Sequence, residues 1–275
     1  MDAATIKSMK LYSRVERIYD ELRHAGIGAD DPLRVADLLP FDQYHYFGAQ
    51  AVDEAIRALA IGAKSRVLDV GSGLGGPARY IADQTGCRIT ALELQSDLDQ
   101  VARSLTARCG LAGRVEHVLG DVMTADLEAG GYDAVVSWLA LYHIADPNRL
   151  FARLNGALRP GGMIYVEDFF RHGDFSADEQ PVLAEVIYAQ SLPLRDEYIG
   201  HLEAAGFSDI HFDDMTAPWT AFVTERAAAY RARLDEQTAL HGPEVAGGLD
   251  SFYHTVVALF QGGNLGGTRV TAVKG

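Results

Sequence analysis

The chain has 275 residues, 48% of them apolar and 23% charged, which suits one large core and excludes a mini-protein, a disordered chain or a coiled coil. Its 38 acidic against 24 basic side chains leave a net charge of −14, a field that repels nucleic-acid phosphates and anionic membrane surfaces and favours small-molecule ligands. Cys87 and Cys109, the only cysteines, read as buried thiols, with no partners for a disulfide framework or a metal site. No apolar run reaches the length of a membrane span and the N-terminus carries no basic-then-apolar leader pattern, so the expected location is the cytoplasm.

In chain order, Met9, Tyr12, Val15, Ile18, Tyr19 and Leu22 recur at three- and four-residue spacing and predict an amphipathic helix over 9–23. An aromatic segment, Phe41 to Gly48, precedes a second helix from about Ala49 to Ala60. From Arg66 the period alternates. Strands are predicted at 66–70, 87–94, 114–120, 132–138 and 162–169, and helices at about 75–84, 96–109 and 148–158. Strands separated by helices of this length form a parallel sheet through right-handed crossovers, an α/β doubly wound fold. Beyond it come helices near 177–190 and 195–205, a strand at 208–215, helical patterns at about 219–240 and 244–261, and a terminal strand, Thr268–Val273.

Gly71-Ser72-Gly73-Leu74-Gly75-Gly76 follows a strand and opens a helix, where glycines let a ligand approach the backbone and the helix N-terminus offers free N–H groups. Gly71, Gly73 and Gly76 also match the dinucleotide pattern G-x-G-x-x-G, with Glu93 available for a ribose diol. Asp69 argues against a dinucleotide. Two residues before the first glycine, its carboxylate would oppose a pyrophosphate, whereas a cationic ligand removes the conflict. Glu93 and Asp121 end the next two strands.

Together VLDVGSGLGG (67–76), ALEL (91–94), LGDV (119–122) and ALRPGG (157–162) closely resemble the motif series of class I S-adenosylmethionine-dependent methyltransferases, over about 66–168. The resemblance implies a seven-stranded, Rossmann-like sheet with an antiparallel last strand, helical lid elements, and S-adenosylmethionine as the cofactor. It implies that Asp69, Gly71 and Gly73 hold the methionyl end and Glu93 the ribose. Leu94 and Gln95 would lie beside the adenine, Asp121 and Val122 would bind it, and the Ser137 carbonyl would face the ammonium. On this reading 1–62 is an N-terminal helical lid segment and 63–275 the methyltransferase domain, with a helical cap insertion at about 217–262.

Methyl transfer needs an acceptor lone pair held in line, water excluded, and any acceptor proton removed; no metal is required. The stretch DQYHYFGAQA resembles the entry segment of the sarcosine/dimethylglycine N-methyltransferase group, except that Phe47 stands where that pattern has a second glycine. Tyr44, Tyr46, Trp138, Tyr142, Trp219 and Asn264 are the candidate acceptor-binding residues, the aromatics because they enclose a cationic amine by cation–π attraction. Asp168, Glu167 and His143 are the candidate catalytic groups; alternation along the strand lets at most one of the two acids face the pocket. The expected function is methylation of a small molecule, most readily an amine of cationic or neutral character. The alternatives are a C- or O-methyltransferase using Glu167, Asp168 or His143 as base, or a catalytically silent domain that binds the cofactor.

Overall fold

The computed structural model describes residues 14–275, so the Met9 and Tyr12 positions of the first predicted helix lie outside the described residues. The remainder of that helix, α1 (Arg17–His24), lays Ile18 and Leu22 with Val15 against Leu98, Val101 and Leu105 of α5 (Ser96–Arg108). A helix that the sequence reading passed over, α2 (Val35–Asp42), follows, with Pro40 in its last turn. Its entry is set by Asp37, whose carboxylate accepts the Arg34 backbone N–H at 2.8 Å. Beyond Asp42 the aromatic segment has no regular structure: Phe47 and Gly48 take positive φ before α3 (Ala49–Ala58) begins.

The sheet has seven strands: β1 (Arg66–Val70), β2 (Arg88–Glu93), β3 (Val115–Leu119), β4 (Tyr132–Trp138), β5 (Leu158–Arg171), β6 (Phe207–Asp214) and β7 (Leu265–Lys274). Their spatial order is β3-β2-β1-β4-β5-β7-β6, with β1 to β5 paired in parallel and β7 antiparallel to both β5 and β6. The order reverses beside β1, where a doubly wound sheet opens its crevice beyond the carboxyl ends of the strands.

Alternation along each strand builds two cores. Val67, Ile89, Ala134, Val136 and Tyr165 face α3 and α4 (Gly76–Thr85), while Leu68, Val70, Val135, Ile164 and Val166 face α6 (Pro147–Ala157) and α8 (Arg195–Ala204). A third cluster stands above the strand ends. There Trp219 and Val223 of α9 (Thr216–Ala232) and Phe252, Val256, Leu259 and Phe260 of α11 (Pro243–Gln261) pack on Tyr46, Tyr142 and Phe169.

Two predicted helices are interrupted. The one expected over 177–190 is helical only as α7 (Glu179–Glu185), because Gln190 and Ser191 turn their N–H groups onto the Tyr142 carbonyl and Tyr188 takes φ 55°. The pattern over 219–240 is divided at Arg233 into α9 and α10 (Leu234–His241).

Gly267 of β7 lies against the Trp219 indole so closely that a Cβ would overlap three of its ring carbons, and its carbonyl accepts the Met215 N–H at 2.7 Å. Gly267→Ala is therefore expected to lower stability by about 1–3 kcal/mol, the cost of overpacking a filled core. Urea unfolding measures it; an unchanged midpoint would show that the cap is not clamped to the sheet at this point.

Candidate active site

The glycine turn is pinned from below. Gly71 and Ser72 donate to the Leu92 carbonyl at 2.9 and 3.1 Å, and Gly71 and Gly73 sit at φ 74° and 54°, values that an L side chain resists. A Cβ on Gly71 would strike Ala140, whereas one on Gly73 would meet no protein atom within 4 Å, because it would project into the cavity. That cavity, of about 320 Å³, lies over the carboxyl ends of β1, β2 and β4.

Its two halves differ in chemistry. One half is lined by Asp69, Gly71, Gly73, Glu93, Leu94, Gln95, Asp121 and Val122, all expected at the cofactor. Asp69 is buried, its Oδ2 has no hydrogen-bond partner, and burial together with the Glu93 charge pushes its carboxyl up to about 8. Burial also raises Glu93, opposed by N–H groups from Gln95 at 2.9 Å and Gly73 at 2.8 Å. Asp121 accepts from the Met123 N–H at 2.8 Å. Ser137 is fully buried below this surface, outside the cavity lining, and its hydroxyl donates to the Val70 carbonyl at 2.8 Å.

These residues fit an S-adenosylmethionine-like ligand. Asp69 Oδ2 and Gln95 Oε1 are buried acceptors awaiting donors, the Gly73 side is open, and a positively charged ligand would favour the ionised form of the Asp69 carboxyl.

The other half is aromatic. Tyr44, Tyr46, Trp138 and Tyr142 line it, with His45, Phe169, Ile187, Phe252, Val256 and Arg226, which the sequence reading did not select as site residues. His45 stood inside the quoted aromatic segment, so a signal existed; Arg226 had none, being one arginine on a helix remote in sequence. Trp219 and Asn264 are elsewhere: the indole is sealed beneath the cap, and Asn264 donates to Glu179 at 3.3 Å.

Neither acid of β5 lines the cavity, so the expectation that one of them faces the acceptor is corrected. Glu167 points to the α3 side, where it accepts from Tyr165 Oη at 2.7 Å and pairs with Arg269 at 2.7 Å; a buried carboxylate needs that cation. Asp168 points the other way, behind the turn Leu141–His143, and accepts the Phe169 N–H at 2.9 Å. Burial pushes it up to about 8, opposed by the backbone N–H groups of Phe169 and Tyr142. It holds the turn rather than the ligand.

That turn presents His143. The imidazole stacks on Tyr142 with centroids 3.9 Å apart, and its Nδ1 lies 2.9 Å from the Tyr188 carbonyl. A carbonyl only accepts, so Nδ1 carries the proton and Nε2, buried and without a partner, keeps its lone pair, while the residue itself lines the cavity. Burial lowers the ring to about 4.

The ring is thus neutral near pH 7. Because its pKa falls from the ordinary value near 6.5 on folding, the stability tied to the neutral ring is complete above pH 6.5 and is lost as pH falls toward 4. His143→Gln, which cannot take up that proton, is expected to lose less stability than the native chain between pH 6.5 and 4.5 in urea unfolding. Nitrogen chemical shifts should report the Nδ1–H tautomer at pH 7, and a titration midpoint near 6.5 would contradict the assignment.

Residues 68–166 match the family model described as "Methyltransferase domain". The glycine/sarcosine/dimethylglycine N-methyltransferase of Actinopolyspora halophila is 24% identical over 221 residues, covering 79% of this chain and 39% of that protein. The sterol 24-C-methyltransferase ERG6A of Gibberella zeae is 33% identical over 187 residues, covering 63% of this chain and 49% of its own length. This chain therefore spans less than half of either relative. Among solved structures, a Haemonchus contortus phosphoethanolamine N-methyltransferase 2 in complex with phosphomonomethylethanolamine and S-adenosylhomocysteine superimposes with a TM-score of 0.84 at 20% identity, covering 99% of this chain and 60% of that one. With this sheet order, the glycine turn after β1 and acids at the ends of β1 and β2, the chain carries a class I S-adenosylmethionine-dependent methyltransferase domain.

Proposed function

We propose that this chain methylates a small molecule, with an amine nitrogen as the acceptor atom and S-adenosylmethionine as the donor. The observation that carries the reading is His143, a neutral ring with an unpartnered Nε2, lining the same cavity as Asp69, Glu93 and Asp121. The relatives named as N-methyltransferases support nitrogen as the acceptor.

In this reading Glu93 takes the ribose hydroxyls, Asp121, Val122, Leu94 and Gln95 surround the adenine, and Asp69 with Gly71 and Gly73 takes the methionyl end. When bound, the sulfonium supplies an electrophilic methyl group. The chain's own contribution is to orient and to exclude water. His143 Nε2 accepts an N–H of the neutral amine acceptor, aiming the nitrogen lone pair away from itself, and the methylated nitrogen keeps its proton as an ammonium ion. A ring lowered to about 4 is a weak base, so its first role is orientation of a neutral amine at any pH where the ring is uncharged. Asp168 is a positioning residue, holding the turn that carries His143. Tyr44, Tyr46, Trp138 and Tyr142 close the apolar walls.

A carbon acceptor is the second reading, supported by the similarity to a sterol C-methyltransferase and by the largely apolar acceptor half.

Calorimetric titration with S-adenosylhomocysteine tests the donor site, and Glu93→Ala should weaken that binding by about 1–3 kcal/mol, as expected for lost hydrogen bonds to a charged group. Unchanged affinity would remove the ribose assignment. On a panel of amine, hydroxyl and activated-carbon acceptors, His143→Asn should cut methyl-transfer kcat by roughly 10²-fold or more while leaving the S-adenosylhomocysteine affinity intact. Equal turnover by the variant would overturn the role given to His143. Donor binding without turnover of any acceptor would favour a silent domain.

A further inference from the structure

The acceptor half of the cavity carries a permanent positive charge. Arg226, on α9, extends its guanidinium over the rings of Tyr46 at 4.9 Å, Tyr253 at 4.9 Å and Phe222 at 5.5 Å. Its Nε is buried without a hydrogen-bond partner, and among the described residues it forms no ion pair. Two other buried carboxylates are held by arginines of their own, Glu167 by Arg269 and Asp42 by Arg79 at 2.8 Å.

A second arginine lies behind the same aromatic wall. Arg17 of α1 is 8% exposed, has a buried Nη1 without a partner, and sits 5.2 Å from the Tyr44 ring centroid. Each arginine acts by charge and hydrogen bonding on its own tyrosine, Arg17 on Tyr44 and Arg226 on Tyr46, with Tyr253 acting on both of these.

Withdrawing a guanidinium from water costs several kcal/mol, and aromatic faces return only a part of it. Arginines kept in such a place without a carboxylate are suited to an anion that arrives with the ligand, bound by a flat array of N–H donors. We propose that Arg226, backed by Arg17, is the subsite for an anionic group on the methyl acceptor, a carboxylate or a phosphate monoester. This inference rests on the methyl-transfer reading. It also revises the expectation of a cationic or neutral acceptor: the molecule carries its reacting atom at one end and its negative charge at the other.

The aromatic wall joins the two ends. From Arg226 it runs through Tyr46, then Phe169 at 6.3 Å, Tyr142 at 4.9 Å from Phe169, and His143 at 3.9 Å from Tyr142. The anion is held at one end of this wall and the lone pair of His143 at the other.

The test compares charged and neutral members of matched acceptors, N-methylglycine with its amide and phosphoethanolamine with ethanolamine, in the native enzyme and in Arg226→Met and Arg226→Lys. In one of the two pairs the charged member should be favoured by about tenfold or more in kcat/KM, and the pair that shows it separates carboxylate from phosphate. Arg226→Met should erase the preference through KM, Arg226→Lys should retain part of it, and S-adenosylhomocysteine affinity by calorimetry should change by less than about twofold in both. Equal use of charged and neutral members, or a preference that survives Arg226→Met, overturns the proposal. Should none of the four be methylated, the melting temperature of the S-adenosylhomocysteine-loaded protein in N-methylglycine and in inorganic phosphate decides. A rise in the native protein that Arg226→Met lacks supports the subsite, and an equal response or none overturns it. Failure to bind S-adenosylhomocysteine would instead count against the methyl-transfer reading, and the Arg226 comparison in phosphate would still be read by melting.

Discussion

Five strands run in parallel, so their carboxyl ends share one edge of the sheet, and the chemistry of the protein is concentrated there. Each strand must deliver its chain into a turn at that edge, where polar side chains meet backbone N–H groups not yet committed to a helix. Asp69 states the constraint most sharply. Its carboxyl is buried by neighbours that supply no donor to Oδ2 and stands close enough to Glu93 to feel its charge. An arrangement that costs stability in the isolated chain is relieved by a ligand that brings donors or positive charge.

The acceptor side depends on packing rather than on strand ends. Tyr46 joins the aromatic segment before α3 to the cap, touching Trp219 edge-on at 4.8 Å and Phe222 at 5.5 Å. Below it, the fully buried pair Asp42–Arg79 ties the end of α2 to α4, so the wall that contains Tyr44 and His45 is anchored to the helix that follows the glycine turn. The N-terminal segment and the cap thus meet over one crevice, and a change in either reaches both halves of it.

The charges separate in the same way. Acids line one half of the cavity, Arg226 with Arg17 behind it lies at the aromatic half, and the neutral imidazole of His143 lines the same cavity. That distribution suits a donor of positive charge and an acceptor with a negative tail, each meeting its opposite. Glu167 and Asp168 serve it indirectly: one neutralises Arg269, and the other steadies the turn Leu141–His143.

The doubly wound class, the strand positions and the glycine turn were legible in the residues, because period-two and period-3.6 patterns and a glycine turn are local properties of consecutive side chains, whereas the residues assigned to the donor came from resemblance. The antiparallel last strand came from resemblance to a known motif series, since strand direction is not encoded in a strand's own composition. Breaks in the helices over 177–190 and 219–240 were invisible, because the first answers to the Tyr142 carbonyl, a group from another part of the chain. The orientation of Glu167 and Asp168 was decided by distant partners, Arg269 for one and the Leu141–His143 turn for the other, and Arg226 acquired its meaning only when α9 laid it against Tyr46 and Tyr253. Local chemistry is written in neighbouring residues, whereas which charges go unpaired is a sum over the whole fold, and only the assembled tertiary structure performs that sum.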